Sequence, residues 1–153
     1  MAKHIGVKLP EDLIGFLKTE RCLGVLATFS EKGIPNTTPI QCIYPKDQES
    51  LLMTIHKEHN GYHNMVWQKK VMVCFLGENN IAYSVLGRAG VVRAPSQVHP
   101  LMNVVRIDII DIKSDRSILT KVEQGIVWSF TSSEAEELLK NLYAELRDLS
   151  KTL

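Results

Sequence analysis

The stretch Cys22-Leu23-Gly24-Val25-Leu26-Ala27-Thr28-Phe29-Ser30-Glu31-Lys32-Gly33-Ile34-Pro35 is an apolar run of strand length that passes at once into turn-forming residues. It reads as the first arm of a β-hairpin. The expected return arm, Asn36 to Tyr44, places Ile40, Cys42 and Tyr44 on one side, and residues 45–49 turn the chain into a further strand from Leu51 to Ile55. Val71 to Leu76 is apolar on both alternating sets, which predicts a central strand, and Gly77-Glu78-Asn79-Asn80 predicts a turn into a partner from Ile81 to Arg93.

Further on, the apolar positions 105, 107 and 109 give way to 110 and 112. One extra residue shifts the phase of a strand in this way, so a bulge is expected near Ile109 and Ile110. Residues 117–122 and 126–130 are expected to add one more strand or a final pair. Two helices flank the strands. Pro10, Glu11 and Asp12 open the first, over about 10–20, with Leu13, Ile14, Phe16 and Leu17 as its apolar face. The second spans about 132–150, from a capping box at Ser133 and Glu136, with Ala135, Leu138, Leu139, Leu142, Leu146 and Leu149 at helical spacing. A short helical insert is expected near Tyr62 to Gln68. Strands joined by tight turns predict a mainly β fold with flanking helices, a closed or nearly closed antiparallel barrel of about six or seven strands. One domain is expected over residues 1–153.

The charges nearly cancel: 18 Lys and Arg against 17 Asp and Glu leave a net charge of +1. No global field draws the chain to nucleic acid or to an anionic membrane, and neither partner is expected. No stretch of sequence predicts a membrane span or an N-terminal leader, so a cytoplasmic protein is expected. Cys22, Cys42 and Cys74 are odd in number and set among apolar neighbours, the pattern of core thiols in a reducing compartment.

None of the phosphate-loop, dinucleotide, paired-cysteine, zinc-protease or nucleophile-elbow motifs occurs. The chemistry-bearing residues gather instead in His56-Lys57-Glu58-His59-Asn60-Gly61-Tyr62-His63-Asn64. His59 and His63 have the spacing of two metal ligands on a helix, but Gly61 lies between them and no acidic ligand matches, so no metal is expected. An anion cradle is a second reading: Lys57 supplies charge, the histidines and asparagines supply donors, and Gly61 lets backbone N–H groups approach a ligand. An ordinary polar connection is the third.

Ala27-Thr28-x-x-x-x-Gly33-x-Pro35, Thr38-Pro39, the strand Leu51 to Ile55, the polar loop ending at Asn64, the strand Val71 to Leu76 and Gly87-Arg88-Ala89 occur in that order. Together they resemble the pyridoxamine phosphate oxidase-like FMN-binding split barrels over about Leu9 to Val92. The resemblance implies a homodimer with FMN at the subunit interface. It places Thr38, Pro39 and Ile40 beside the flavin ring, and Thr54 and Ile55 near the ribityl chain and phosphate. The apolar strands carrying Met53, Met72 and Cys74 also offer more apolar face than one small barrel buries. Where the family reads Ser-Arg-Lys ahead of the position of Asn64, this chain has His59-Asn60-Gly61, which removes two fixed cations from the phosphate site. Lys57, His59, Asn60 and Arg88 are the candidates to hold the phosphate in their place. Arg88 is equally readable as a solvated strand residue, and Trp128 either stacks on a ligand or packs at the barrel mouth.

The function implied is an FMN-dependent oxidoreductase acting on a small substrate or on flavin itself, with a nicotinamide nucleotide as reductant. Pyridoxamine phosphate oxidation itself is not expected, because a second phosphate would need its own cations. The alternative is a non-catalytic protein that uses the same cleft to store or sense flavin, or to bind haem through a histidine.

Overall fold

The computed structural model describes residues 3–152; Met1, Ala2 and Leu153 lie outside it. The first arm is β2 (Gly24–Phe29) and its partner is β3 (Pro35–Ile40), running from Gly24 opposite Ile40 to Phe29 opposite Pro35. Gly33 closes the turn at φ +75°, in the region that L side chains avoid. Its N–H donates to the Ser30 carbonyl, and the Ser30 N–H to the Ile34 carbonyl.

The expected return arm is two strands rather than one. β3 ends at Ile40, the chain turns at Gln41 and Cys42, and β4 (Ile43–Asp47) pairs with β5 (Ser50–His56). The sheet runs from β3 through β2, β6 (Lys70–Gly77), β7 (Ile81–Arg93), β8 (Met102–Ser114) and β5 to β4, so these neighbours in sequence are its two ends. Only two residues separate them, which requires the sheet to curl round, but β3 and β4 do not pair and the barrel stays split. Cys42 and Ile43, consecutive and both buried, face different cores. Ile43 lies inside the barrel and Cys42 lies beneath the C-terminal helix.

β6 (Lys70–Gly77) and β7 (Ile81–Arg93) form the second hairpin, with Asn79 and Asn80 both at positive φ in its turn. β6 is central, between β2 and β7, but only Val71, Val73, Phe75 and Gly77 are buried. Met72 and Cys74 are half-buried and Leu76 is exposed, so Cys74, unlike Cys22 and Cys42, is not a core thiol. β8 (Met102–Ser114) carries the expected bulge: Leu86 faces Asp111 while Gly87 faces Ile109, leaving Ile110 unpaired. A short β1 (Lys3–Gly6) also pairs with β8, giving eight strands among the described residues where six or seven were expected.

Residues 115–131 form no strand. Asn80 already holds this strap: its N–H donates to the Val122 carbonyl and its side chain accepts from the Val122 N–H. Arg116 donates to the Asn80 carbonyl. With these groups spent on a turn, no ladder forms, and Ile118 and Leu119 stand in solvent.

α1 (Glu11–Lys18) sends Leu13 and Leu17 into the barrel core, and Asp12 accepts from the Tyr83 hydroxyl. α3 (Ser133–Ser150) is capped by Ser132, whose hydroxyl accepts the Ala135 N–H, one residue before the expected cap. Leu142, Tyr143, Leu146 and Leu149 form a second core with Cys42, Leu52 and Val104 on the outer face of the sheet. β5 is therefore covered on both faces, with Leu51, Met53 and Ile55 in the barrel and Leu52 under α3. The buried Met53 contributes nothing to an unsatisfied apolar face. No helix among the described residues is long and apolar enough to cross a membrane.

Candidate functional site

The split between the sheet's two ends opens into a cleft of about 500 Å3. The end of β3 and the end of β5 form one wall. Met102, at the start of β8, lies beside them. The end of the strap, residues 129–131, and the first half of α3 form the other wall. This volume is typical of small-molecule sites.

Of the residues singled out in sequence, Thr38, Pro39, Ile40, Thr54, Ile55 and His59 line the cleft together. Lys57, Asn60, Asn64, Arg88 and Trp128 are not part of its lining. Lys57 is exposed, its N–H bonded to the Leu101 carbonyl. Asn60 is an exposed first residue of α2 (Asn60–Gln68). Asn64 donates to the Thr28 hydroxyl at 3.0 Å and so ties α2 to β2. Arg88 is exposed on β7, opposite Lys70 and Asp108. Trp128 has a packing role: its indole N–H donates to the Arg21 carbonyl at 3.2 Å, and the Arg21 guanidinium lies 5.4 Å from its ring centroid.

Sequence reasoning missed Gln41, Cys42, Met102, residues 129–131 and the lining residues of α3, while His56 had been noted only as part of the polar loop. The aromatic Phe130, 5.0 Å from Trp128, was a weak signal. For α3 there was a partial one: its apolar stripe is longer than the buried part, and half-exposed Leu138 and Leu139 turn to the cleft.

The loop after β5 is organised by histidines. His59 sits at the N-cap of α2 in extended conformation, and its Nδ1 accepts the Gly61 N–H at 3.1 Å. Nδ1 of His56 accepts the Glu58 N–H at 3.2 Å. A backbone N–H can only donate, so both nitrogens are unprotonated and each ring carries its proton on Nε2. Burial pushes the Cys42 thiol up to about 12, so it is no nucleophile near neutral pH. The Thr54 hydroxyl is buried and has no hydrogen-bond partner of normal geometry; the Cys42 thiol beside it is at most a weak partner. Among the described residues no group of His, Cys, Asp and Glu forms a metal site.

No lysine, arginine, aspartate or glutamate lines the cleft among the described residues. An apolar enclosure edged by hydroxyls and imidazoles fits the flat ring of a flavin. It does not fit a phosphate dianion, which needs converging cations or free N–H groups.

An eight-stranded antiparallel split barrel, curled until its ends nearly meet and open to a cleft there, is the architecture of the flavin-binding split barrels. Residues 10–128 match the sequence profile of the pyridoxamine 5'-phosphate oxidase family, and the chain belongs to it. Among solved structures it is similar to a pyridoxamine 5'-phosphate oxidase-like protein of Lactobacillus delbrueckii, with 22% identity and a TM-score of 0.62, over 72% of this chain and 98% of that one. HupZ of group A Streptococcus is similar at 15% identity and TM-score 0.60, over 76% and 99% of the two chains. An F420 reductase follows at 18% and 0.57, over 68% and 98%. At these identities the likeness is one of fold. No curated protein matches the sequence significantly. The cleft wall from Ser129 to Leu142 lies beyond the family match.

Proposed function

We propose that the chain is a flavin-dependent oxidoreductase of the split-barrel class, working as a homodimer and taking the flavin ring into the cleft between β3, β5 and α3. The observation that carries this reading is convergence: Thr38 to Ile40, Thr54, Ile55 and His59, far apart in sequence, share one cleft in a chain of this family. The ring is common to FMN, which the family resemblance implies, and to riboflavin. A bound flavin supplies the electron transfer. The chain supplies an apolar bed from Ile40, Ile55, Met102, Leu138 and Leu139, polar groups from Thr38, Thr54 and the imidazole Nε2–H groups, and a cover of residues 129–131 that limits water.

A second copy is the expected partner. Val25, Ala27, Met72, Cys74 and Leu86 form a half-buried strip on the outer face of β2, β6 and β7, flanked by exposed Phe29 and Leu76. Such a strip is typical of subunit contacts. The thiols, all free, suit a reducing cytoplasm in which a nicotinamide nucleotide reduces the flavin for a small substrate.

The lack of carboxylates and of free cations in the cleft favours a second reading, a non-catalytic protein that stores or senses flavin or binds haem through His56 or His59. The absorbance of purified protein separates flavin bands from the sharp haem band. Oxidation of a nicotinamide nucleotide by flavin-loaded protein, above the rate with free flavin, supports the enzyme. Bound flavin without such turnover supports the second reading, and no flavin uptake at all overturns the first.

A further inference from the structure

We infer that the cleft holds riboflavin, the flavin without its phosphate, at least as tightly as it holds FMN. This rests on the flavin reading above and goes beyond it by naming the form of the ligand. A phosphate monoester carries a charge of about −1.5 to −2 near neutral pH and is held by cations or by unsatisfied N–H groups. Within one subunit the described residues that line the cleft provide neither. No lysine or arginine lines it among the described residues, and Nδ1 of His56 and of His59 is already engaged by the Glu58 and Gly61 N–H groups.

The adjacent helix N-terminus is also spent. Gly61 N–H donates to the His59 ring at 3.1 Å, and the Tyr62 and His63 N–H groups donate to the His59 carbonyl at 3.0 and 3.1 Å. In the first turn of α2 only the Asn60 N–H is outside these bonds, so the helix end that elsewhere grips an anion is capped by its own chain.

What the cleft does ask for is a neutral polar ligand. Thr54 is 3% exposed, lines the cleft, and its hydroxyl has no partner. A buried hydroxyl in that state costs free energy that a ligand donor or acceptor removes. The far wall adds the hydroxyls of Ser129 and Thr131 beside Leu138 and Leu139. A heterocycle with a polyol tail matches hydroxyls next to apolar surface; a dianion does not.

The test is titration of the full chain, in its native oligomeric state and freed of ligand, with riboflavin and with FMN at low and high salt. Riboflavin is expected to bind as tightly as FMN or tighter, with little salt dependence. The companion variant is Asn60→Lys. Asn60 is exposed at the start of α2, so a lysine is accommodated there. It is expected to tighten FMN about tenfold and to leave riboflavin unchanged, since charge-assisted bonds are the strong ones. FMN binding tenfold or more tighter than riboflavin to the unaltered chain would overturn the inference while leaving the flavin reading intact. An unchanged preference in Asn60→Lys would also overturn it. If neither flavin binds, the flavin reading itself fails.

Discussion

The His59 imidazole and the Gly61 backbone N–H, 3.1 Å apart, make one bond with two roles: it starts α2 and it fixes the side of His59 that remains available to the cleft. A histidine does here what serine or asparagine usually does at an N-cap.

His59→Ala is therefore expected to lower stability by about 1 kcal/mol, or roughly 2–4 °C in Tm for a chain of this size. His59→Asn keeps an acceptor at the cap and is expected to restore most of the loss. Thermal unfolding of both variants checks this; equal stability of His59→Ala and the parent would mean that the cap carries no weight.

Thr54→Val replaces an unpartnered buried hydroxyl by a methyl group of similar size. The ligand-free protein is expected to gain about 1 kcal/mol, since an unsatisfied buried polar group costs about 1–3. Flavin binding is expected to weaken severalfold in the same variant. Opposite signs in calorimetric stability and in binding mark a hydroxyl reserved for a ligand; a loss of stability would show that it has a partner in the fold.

Burial raises the thiols of Cys22 and Cys42 from 9.0 to about 12. Because the folded chain holds these protons more tightly than the unfolded one, their contribution to stability is intact below pH 9 and is lost as pH climbs towards 12. Tyr143, raised chiefly by burial, acts in the same direction. The unfolding free energy is expected to fall over that alkaline range, and less steeply in Cys22→Ala. A thiol reagent at neutral pH is expected to spare Cys22 and Cys42 in the native state, and to modify all three cysteines after unfolding.

The proposed homodimer turns on Phe29 and Leu76, which are 50% and 41% exposed on the outer face of the sheet. Light scattering is expected to give twice the chain mass at micromolar concentration. Phe29→Glu with Leu76→Lys is expected to give monomers with an unchanged circular dichroism spectrum. A monomeric parent chain would remove the dimer from the functional reading.

Much of the fold was legible because its signals are short-ranged. Gly33 and the Asn79-Asn80 pair mark their turns through backbone torsions that few residues accept. The change of phase between Ile109 and Ile110 marks its bulge because side chains on a strand alternate. The stripe of α3 marks its helix, although the cap fell on Ser132, since adjacent serines offer the same hydroxyl and only the chain's path chooses between them.

The site was legible in part. Thr38 to Ile40, Thr54, Ile55 and His59 were found through family order and spacing, and they meet in the cleft. Arg88 and Lys57 were chosen for their charge, but charge in a sequence carries no direction. Trp128 was one step from the cleft, since its neighbours at 129–131 line the wall while its own ring packs on Arg21.

By itself, then, the sequence determined the hairpins, the bulge, the flanking helices and the family, all of which depend on residues close together in the chain or on their order. Tertiary structure alone decided that residues 36–44 break at Gln41, that residues 115–131 form a strap, and that α3 walls a cleft lined by no lysine or arginine among the described residues. Each depends on how tightly the sheet curls and on which polar groups are already taken when a segment arrives. Asn80 had bonded Val122 and His59 had capped α2, and such prior engagements exist only in three dimensions.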